Sequence, residues 1–222
     1  MPGPSLIMLT NPHAPAAEAY RTLRTNLMFY GVDRPARALV FTSPVPGQGA
    51  STALANLAVS LAQGGHDTIV IDSDLRRPIQ HTLWGINNAR GLTTMLLDDA
   101  ALANPPLQDV GVERLRVLTS GPLPPNPADL VGSKRMDDVI AALRQRADYV
   151  LFDAPPVLAV SDAAVLGHKL DGLILVLRAG TSRRDHAARA KEELERVNVP
   201  VLGVVLVNSP RDTALSRYYA QT

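Results

Sequence analysis

A short apolar run, ALVFTS at 38–43, leads through SPVPGQG into STALANLAVSLAQ at 51–63, which ends on Gly64-Gly65. This strand–glycine loop–helix unit constrains the fold more than any other stretch of the chain. An apolar run without alternation fits a strand covered on both faces, and the paired glycines stop the helix. Gly47 and Gly49 let the backbone turn tightly with N–H groups facing inward. The helix starting near Ser51 adds the positive end of its dipole. Such a loop suits a phosphate, with Gln48 and Thr52 adjoining it and Ser51 able to offer a hydroxyl to Mg2+. It departs from the G-x4-G-K-[ST] pattern twice, with Pro44 at the first glycine and Ala50 at the lysine. Taken alone, it fits a glycine-rich turn capped by Ser51 equally well.

Five more apolar runs read as strands: TIVID (68–72), LRVLTS (115–120), YVLFD (149–153), GLILVLR (172–178) and VLGVVLVN (201–208). Helical spacing recurs at 127–146 and 183–197, with a short helix around 93–97. Strands alternating with helices imply an α/β fold, with a mainly parallel central sheet and helices on both faces. A chain of 222 residues fits one domain with a substantial core. Four prolines between 122 and 127 keep GPLPPNPADL out of a central strand. That loop reads either as a rigid wall beside the site or as a plain connection.

Composition narrows the chemistry. With no cysteine, disulfides, zinc–thiolate sites and cysteine nucleophiles are excluded, which fits a reducing cytoplasm. A net charge of +1 gives no global field for nucleic acid or an anionic membrane. The apolar runs fall far below the roughly 20 residues of a spanning helix, so membrane association would have to come through a partner.

In a parallel sheet, ligands collect at the carboxyl ends of strands. TIVIDSDLRRP places Asp72 and Asp74 at one such end, followed by Arg76 and Arg77. Close carboxylates repel unless a cation or proton sits between them, and Mg2+ binds few protein carboxylates while keeping several waters. Asp74 alternatively caps a short helix. YVLFDAPP puts Asp153 where a Walker-B aspartate would stand. The three ends together support the phosphate-loop reading more strongly than any one of them.

The chain resembles the bacterial tyrosine kinases of the capsular and exopolysaccharide family, the cytoplasmic CpsD/CapB type within the MinD/ParA-like class. The likeness runs through EAYRTLRTNL (18–27), TSPVPGQGAST, VIDSDLRRP, GLTTMLL, GPLPPNPADL and DYVLFDAPPVLAVSDA. It implies a P-loop NTPase-like fold spanning 1–222, ATP (with ADP as product) and Mg2+, and autophosphorylation of tyrosines in a tail at 214–222. It also implies a membrane adaptor of the polysaccharide co-polymerase type that activates the kinase and recruits it from the cytoplasm to the inner face of the membrane. On matching positions, Gly47, Gly49 and neighbouring amides hold the phosphates; Ser51, Asp72 and Asp153 serve the metal. Asp72 and Asp74 activate the tyrosine hydroxyl. Glu18, Arg21 and Arg24, on a helix at 15–30, match an E-x-x-R-x-x-R motif for ring-like self-association; a solvated charged face is the plainer reading. Asn208 is a candidate adenine contact.

Two departures stand out. Ala50 removes the charge that a lysine would bring to the β- and γ-phosphates, predicting weak nucleotide binding and little or no kinase activity. Arg76 or Arg77 is a candidate substitute for it. The tail SRYYAQT offers only Tyr218 and Tyr219 as phosphoacceptors, where family members carry a tyrosine-rich cluster. A non-catalytic nucleotide-binding regulator of polysaccharide assembly is the main alternative. A MinD/ParA-like ATPase switch is a weaker one, since SPVPGQG lacks that group's early lysine.

Overall fold

Strands of this chain are runs of Val, Ile, Leu and Phe, whose branched or aromatic side chains fill a pleated surface. In the computed structural model, which describes residues 6–30 and 35–209, seven strands form one sheet in the order β3-β4-β2-β5-β1-β6-β7. They are β1 (Ala38–Thr42), β2 (Thr68–Asp72), β3 (Gln108–Asp109), β4 (Leu115–Leu118), β5 (Tyr149–Asp153), β6 (Gly172–Arg178) and β7 (Val201–Val207). All pairings are parallel except β3 with β4. β3 went unread in the sequence, because two residues carry no periodicity.

Alternate residues of each central strand enter two cores. Val40, Ile69, Ile71, Val150 and Phe152 face one, and Leu39, Phe41, Val70 and Leu151 the other. The first core is closed by α5 (Leu92–Leu97), α6 (Asp99–Ala103), α7 (Pro127–Gly132), α8 (Lys134–Arg144), α9 (Asp162–Lys169) and α10 (Arg184–Arg196). The second lies under α1 (Ile7–Thr10), α2 (Pro15–Phe29), α3 (Ala50–Gln63) and α4 (Gln80–Trp84). The α/β architecture read from the sequence is therefore present, with helices on both faces.

Helix α3 is the pivot of the second core. Its Ala- and Leu-rich sequence is buried on nearly every side, and each fully buried leucine contributes about 1.5–3 kcal/mol. It stops at Gly64, over which Arg24 of α2 lies so closely that a Cβ would sit 2.8 Å from Arg24 Nη1. Gly65, at φ 89°, completes the turn.

Two readings need correction. The helix expected over 127–146 is two helices, because Ser133 leaves helical geometry and its hydroxyl accepts the Met136 N–H at 3.2 Å, capping α8. Strand β7 is not covered on both faces: as the last strand it leaves Val204 57% and Leu206 54% exposed.

Candidate functional site

The carboxyl ends of β1, β5 and β2 lie side by side, with Phe41 opposite Asp153 and Asp153 opposite Asp72 in the parallel register. One turn beyond β1, Gly47 (φ 81°) and Gly49 (φ 86°) take left-handed conformations that only glycine adopts freely. The chain then enters α3 with no side-chain cap. The Ser51 cap of the plainer reading is absent, since the Ser51 hydroxyl donates instead to Asp153 Oδ1 at 3.1 Å. An uncapped helix start behind two left-handed glycines leaves backbone N–H groups for an anion.

The loop is braced from both sides. Val157 N–H donates to the Ser43 carbonyl at 2.9 Å, and the Thr42 hydroxyl to the Pro155 carbonyl at 2.7 Å. Gln48 is buried, and its Oε1 accepts from the Arg178 N–H at 3.1 Å and from the Ser182 hydroxyl. Its side chain thus anchors the loop to the turn after β6, leaving its backbone to face a ligand. Ala50 is buried among the second core's side chains. The end of β7 reaches the loop, since a Cβ on Gly49 would stand 3.6 Å from Val207 Cγ2. Asn208, exposed and at φ 55°, follows directly.

The acidic side is held by side chains. Asp153 is buried, and its Oδ2 accepts from Gln80 Nε2 at 2.8 Å. Asp72 is fully buried, and its Oδ2 accepts the Ile79 and Gln80 N–H groups at 2.9 and 2.8 Å. Its Oδ1 is buried without a partner among the described residues. Burial pushes the Asp153 carboxyl up to about 7 against its hydrogen bonds from Gln80 and Ser51. Burial, followed by the nearby Asp153, raises Asp72 well above the usual carboxylate range. Asp74 is half-buried, and its Oδ1 caps the following turn by accepting the Arg76 and Arg77 N–H groups at 3.1 and 2.9 Å. The short helix that Asp74 was weighed as capping is not formed, since residues 75–77 make a bend and α4 begins only at Gln80.

Of the two arginines weighed as substitutes for a loop lysine, Arg77 is exposed and Arg76 is engaged elsewhere. Arg76 grips the buried Asp162 through two hydrogen bonds of 3.0 and 3.3 Å, so its guanidinium is already committed. Among the described residues no group of three or more His, Cys, Asp or Glu side chains is placed to hold a metal ion. Mg2+ does not need one, taking one or two protein ligands and completing its shell with phosphates and water. The orphaned Asp72 oxygen and two carboxyls raised by burial fit such a cation.

Sequence reading missed Gln80, Trp84 and Asp162, whose roles depend on contacts far along the chain. The only signal was the i, i+4 spacing of Gln80 and Trp84, the chain's single tryptophan. Glu18, Arg21 and Arg24 share α2, but their bonds run within the chain. Arg21 meets Glu18 at 2.8 Å and the Pro12 carbonyl at 2.7 Å, while Arg24 donates to the Ser60 carbonyl at 2.7 Å. The Pro122–Asn126 loop walls a groove of about 650 Å3 with α5, next to the carboxyl end of β4. Tyr218, Tyr219 and the tail at 214–222 lie outside the described residues.

No protein-family model matches the chain. Its fold is that of the MinD-type P-loop proteins: the Mg-ADP complex of the septum site-determining protein MinD from Pyrococcus horikoshii superposes with a TM-score of 0.64 at 23% identity, over 82% of this chain and 76% of that one. Nearer relatives are more specific. The tyrosine-protein kinase YwqD of Bacillus subtilis is 43% identical over 91% of this chain and 85% of its own length. The tyrosine-protein kinase CpsD of Streptococcus agalactiae is 36% identical over 85% and 81%. The kinase domain of the Escherichia coli tyrosine kinase ETK superposes with a TM-score of 0.88 at 32% identity, over 94% of this chain and 82% of that one. The chain belongs to the family of bacterial tyrosine-protein kinases of the capsule and exopolysaccharide type.

Proposed function

We propose that residues 1–222 form one kinase domain that binds Mg–ATP at the 43–52 loop and transfers the γ-phosphoryl group to tyrosine, with Tyr218 and Tyr219 as acceptors. The observation that carries this reading is the juxtaposition of an uncapped, glycine-rich helix start with Ser51, Asp153 and Asp72, one of whose buried oxygens has no partner among the described residues. N–H groups of Gly47 to Thr52 would hold the phosphates, with Asn208 beside the base. Ser51, Asp72 and Asp153 would hold Mg2+, which when bound supplies positive charge to the phosphates. Asp72 and Asp74 would orient the acceptor hydroxyl and draw its proton.

Kinase relatives and the absence, among the described residues, of a helix long and apolar enough to cross a membrane favour recruitment from the cytoplasm to the inner face of the membrane by an adaptor of the polysaccharide co-polymerase type. The product would be control of capsule or exopolysaccharide synthesis. Self-association through Glu18, Arg21 and Arg24 would require Arg21 and Arg24 to exchange or share acceptors they already hold.

Ala50 leaves the phosphates one charge-assisted bond short, a contact typically worth about 1.5–3 kcal/mol. Arg76 is tied to Asp162, so it does not replace that charge in this arrangement. The chain is therefore expected to bind nucleotide weakly and phosphorylate little. Restoring the lysine with Ala50→Lys should tighten Mg–ATP binding about 10- to 100-fold and bring phosphate onto Tyr218 or Tyr219 with an adaptor fragment present. Calorimetry and phosphopeptide mapping read both. ATP binding without tyrosine phosphate in either protein would favour the non-catalytic regulator instead.

A further inference from the structure

Beyond the residues that would touch the nucleotide or metal, one buried side chain governs how they are held. Gln80 is fully buried, and both ends of its amide are used. Nε2 donates to Asp153 Oδ2 at 2.8 Å and to the Ser51 carbonyl at 3.3 Å. Oε1 accepts the Trp84 indole N–H at 2.9 Å. An indole can only donate, and a carboxylate can only accept. Trp84 therefore compels the oxygen of Gln80 to face it, which turns the NH2 toward Asp153. A flipped amide would set its oxygen against the carboxylate and its NH2 against the indole N–H.

The same short turn holds the neighbouring acid, because the N–H groups of Ile79 and Gln80 bind Asp72 Oδ2. Asp153 and Asp72 are register partners on β5 and β2, so a single residue joins both carboxyls and Ser51 in one hydrogen-bonded unit. The Trp84 ring is itself buried in the second core, which fixes the far end of the relay.

We propose that Gln80 is a positioning residue for the nucleotide–metal site, oriented by Trp84, and that Trp84 senses whether the site is filled. This rests on the reading of the 43–52 loop as a nucleotide site. The relay leaves Asp153 Oδ1 toward Ser51 and keeps Oδ2 engaged, so the carboxylate presents one defined edge. Trp84 is the only tryptophan, so all tryptophan emission comes from this one position at the end of the network.

The test uses the full chain and, in parallel, Ala50→Lys, each with and without Gln80→Met or Trp84→Phe. ADP affinity is measured by calorimetry with Mg2+ and in chelator, and Trp84 emission is followed through each titration. Gln80→Met should weaken Mg2+-dependent ADP binding about 10-fold and leave metal-free binding, held by loop amides, within 2-fold. Trp84→Phe should weaken the Mg2+-dependent part by about 3-fold. Mg–ADP should change Trp84 emission in the parent and not in Gln80→Met. Equal losses with and without Mg2+, unchanged affinities, or the same emission response in parent and Gln80→Met would overturn the positioning role. If neither Gln80 parent binds ADP, the nucleotide reading itself fails, and this proposal with it.

Discussion

The two halves of the site are built on different principles. The loop from Ser43 to Gly49 is held mainly by main-chain geometry, namely left-handed glycines and a bond from Val157 N–H, with the Gln48 side chain as one tether to the turn after β6. The carboxyl half, Asp72 and Asp153, is held by a side-chain network through Ser51, Gln80 and Trp84. A half made of backbone tolerates a changed side chain. That is how the loop keeps its form with Ala50 where a G-x4-G-K-[ST] loop has lysine. A half made of side chains has no such latitude, and it stores the strain of buried charge.

That stored cost gives the largest effect expected from breaking the comparison. Asp153 and Asp72 are easier to protonate in the folded protein than in the unfolded chain, since burial raises both. The folded state therefore binds more protons from the usual carboxylate range up to about 7. The stability Asp153 contributes is fully present below about pH 4 and is lost as pH rises through about 7, and Asp72 acts in the same direction. In chelator, the unfolding free energy from urea titration should fall between pH 5 and pH 8 by an amount on the order of 2–4 kcal/mol. Asp153→Asn keeps the shape and can still accept from Gln80, so it should remove most of that slope and stabilise the metal-free protein at pH 8. The same variant should lose Mg2+-dependent nucleotide binding. A pH slope equal to that of the parent would show that Asp153 is not the buried acid responsible.

On the loop half, the break must strike the backbone. Gly49→Val forces a β-branched residue to φ 86° and brings its Cβ to 3.6 Å from Val207 Cγ2. The strain is about 1–3 kcal/mol. Thermal unfolding should fall accordingly, and metal-free ADP binding should be lost. If both survive, the loop is not held by its glycines, and the contrast between the halves collapses.

How much of this was legible in the sequence follows the same division. β1, β2, β5 and β6 announced themselves, because a buried parallel strand needs an unbroken apolar run and few other elements do. Asp72 and Asp153 were legible because each ends such a run, and the glycines because few loops need two so close together. β7 carried the same apolar signature yet lies at the sheet's edge, since composition does not encode strand order. Gln80 was hidden for a related reason. A glutamine in a five-residue helix has no periodicity to flag it, and its significance arises only when β2 and β5 bring Asp153 over it. Gln48 lies in the loop, but the direction of its side chain was not encoded locally.

Gln48 therefore gives the smallest and most discriminating test. If its side chain belonged to the nucleotide, replacing it would cost affinity and leave the free protein unchanged. The structure gives the opposite arrangement. Oε1 is occupied by the Arg178 N–H and the Ser182 hydroxyl, and Ser182 Oγ also lies 2.7 Å from the Arg178 N–H as a second acceptor. Gln48→Met keeps the buried bulk and removes one acceptor, and Ser182 remains to satisfy the Arg178 N–H. The expected destabilisation is about 0.5–1.5 kcal/mol. Hydrogen exchange should quicken at the amides of 47–51 and 178–182 in the ligand-free protein, while amides of the central strands stay protected. Nucleotide affinity should fall only a few fold, as the cost of ordering a loosened loop. A large affinity loss with unchanged exchange would mean that the side chain turns toward the ligand instead of anchoring the loop.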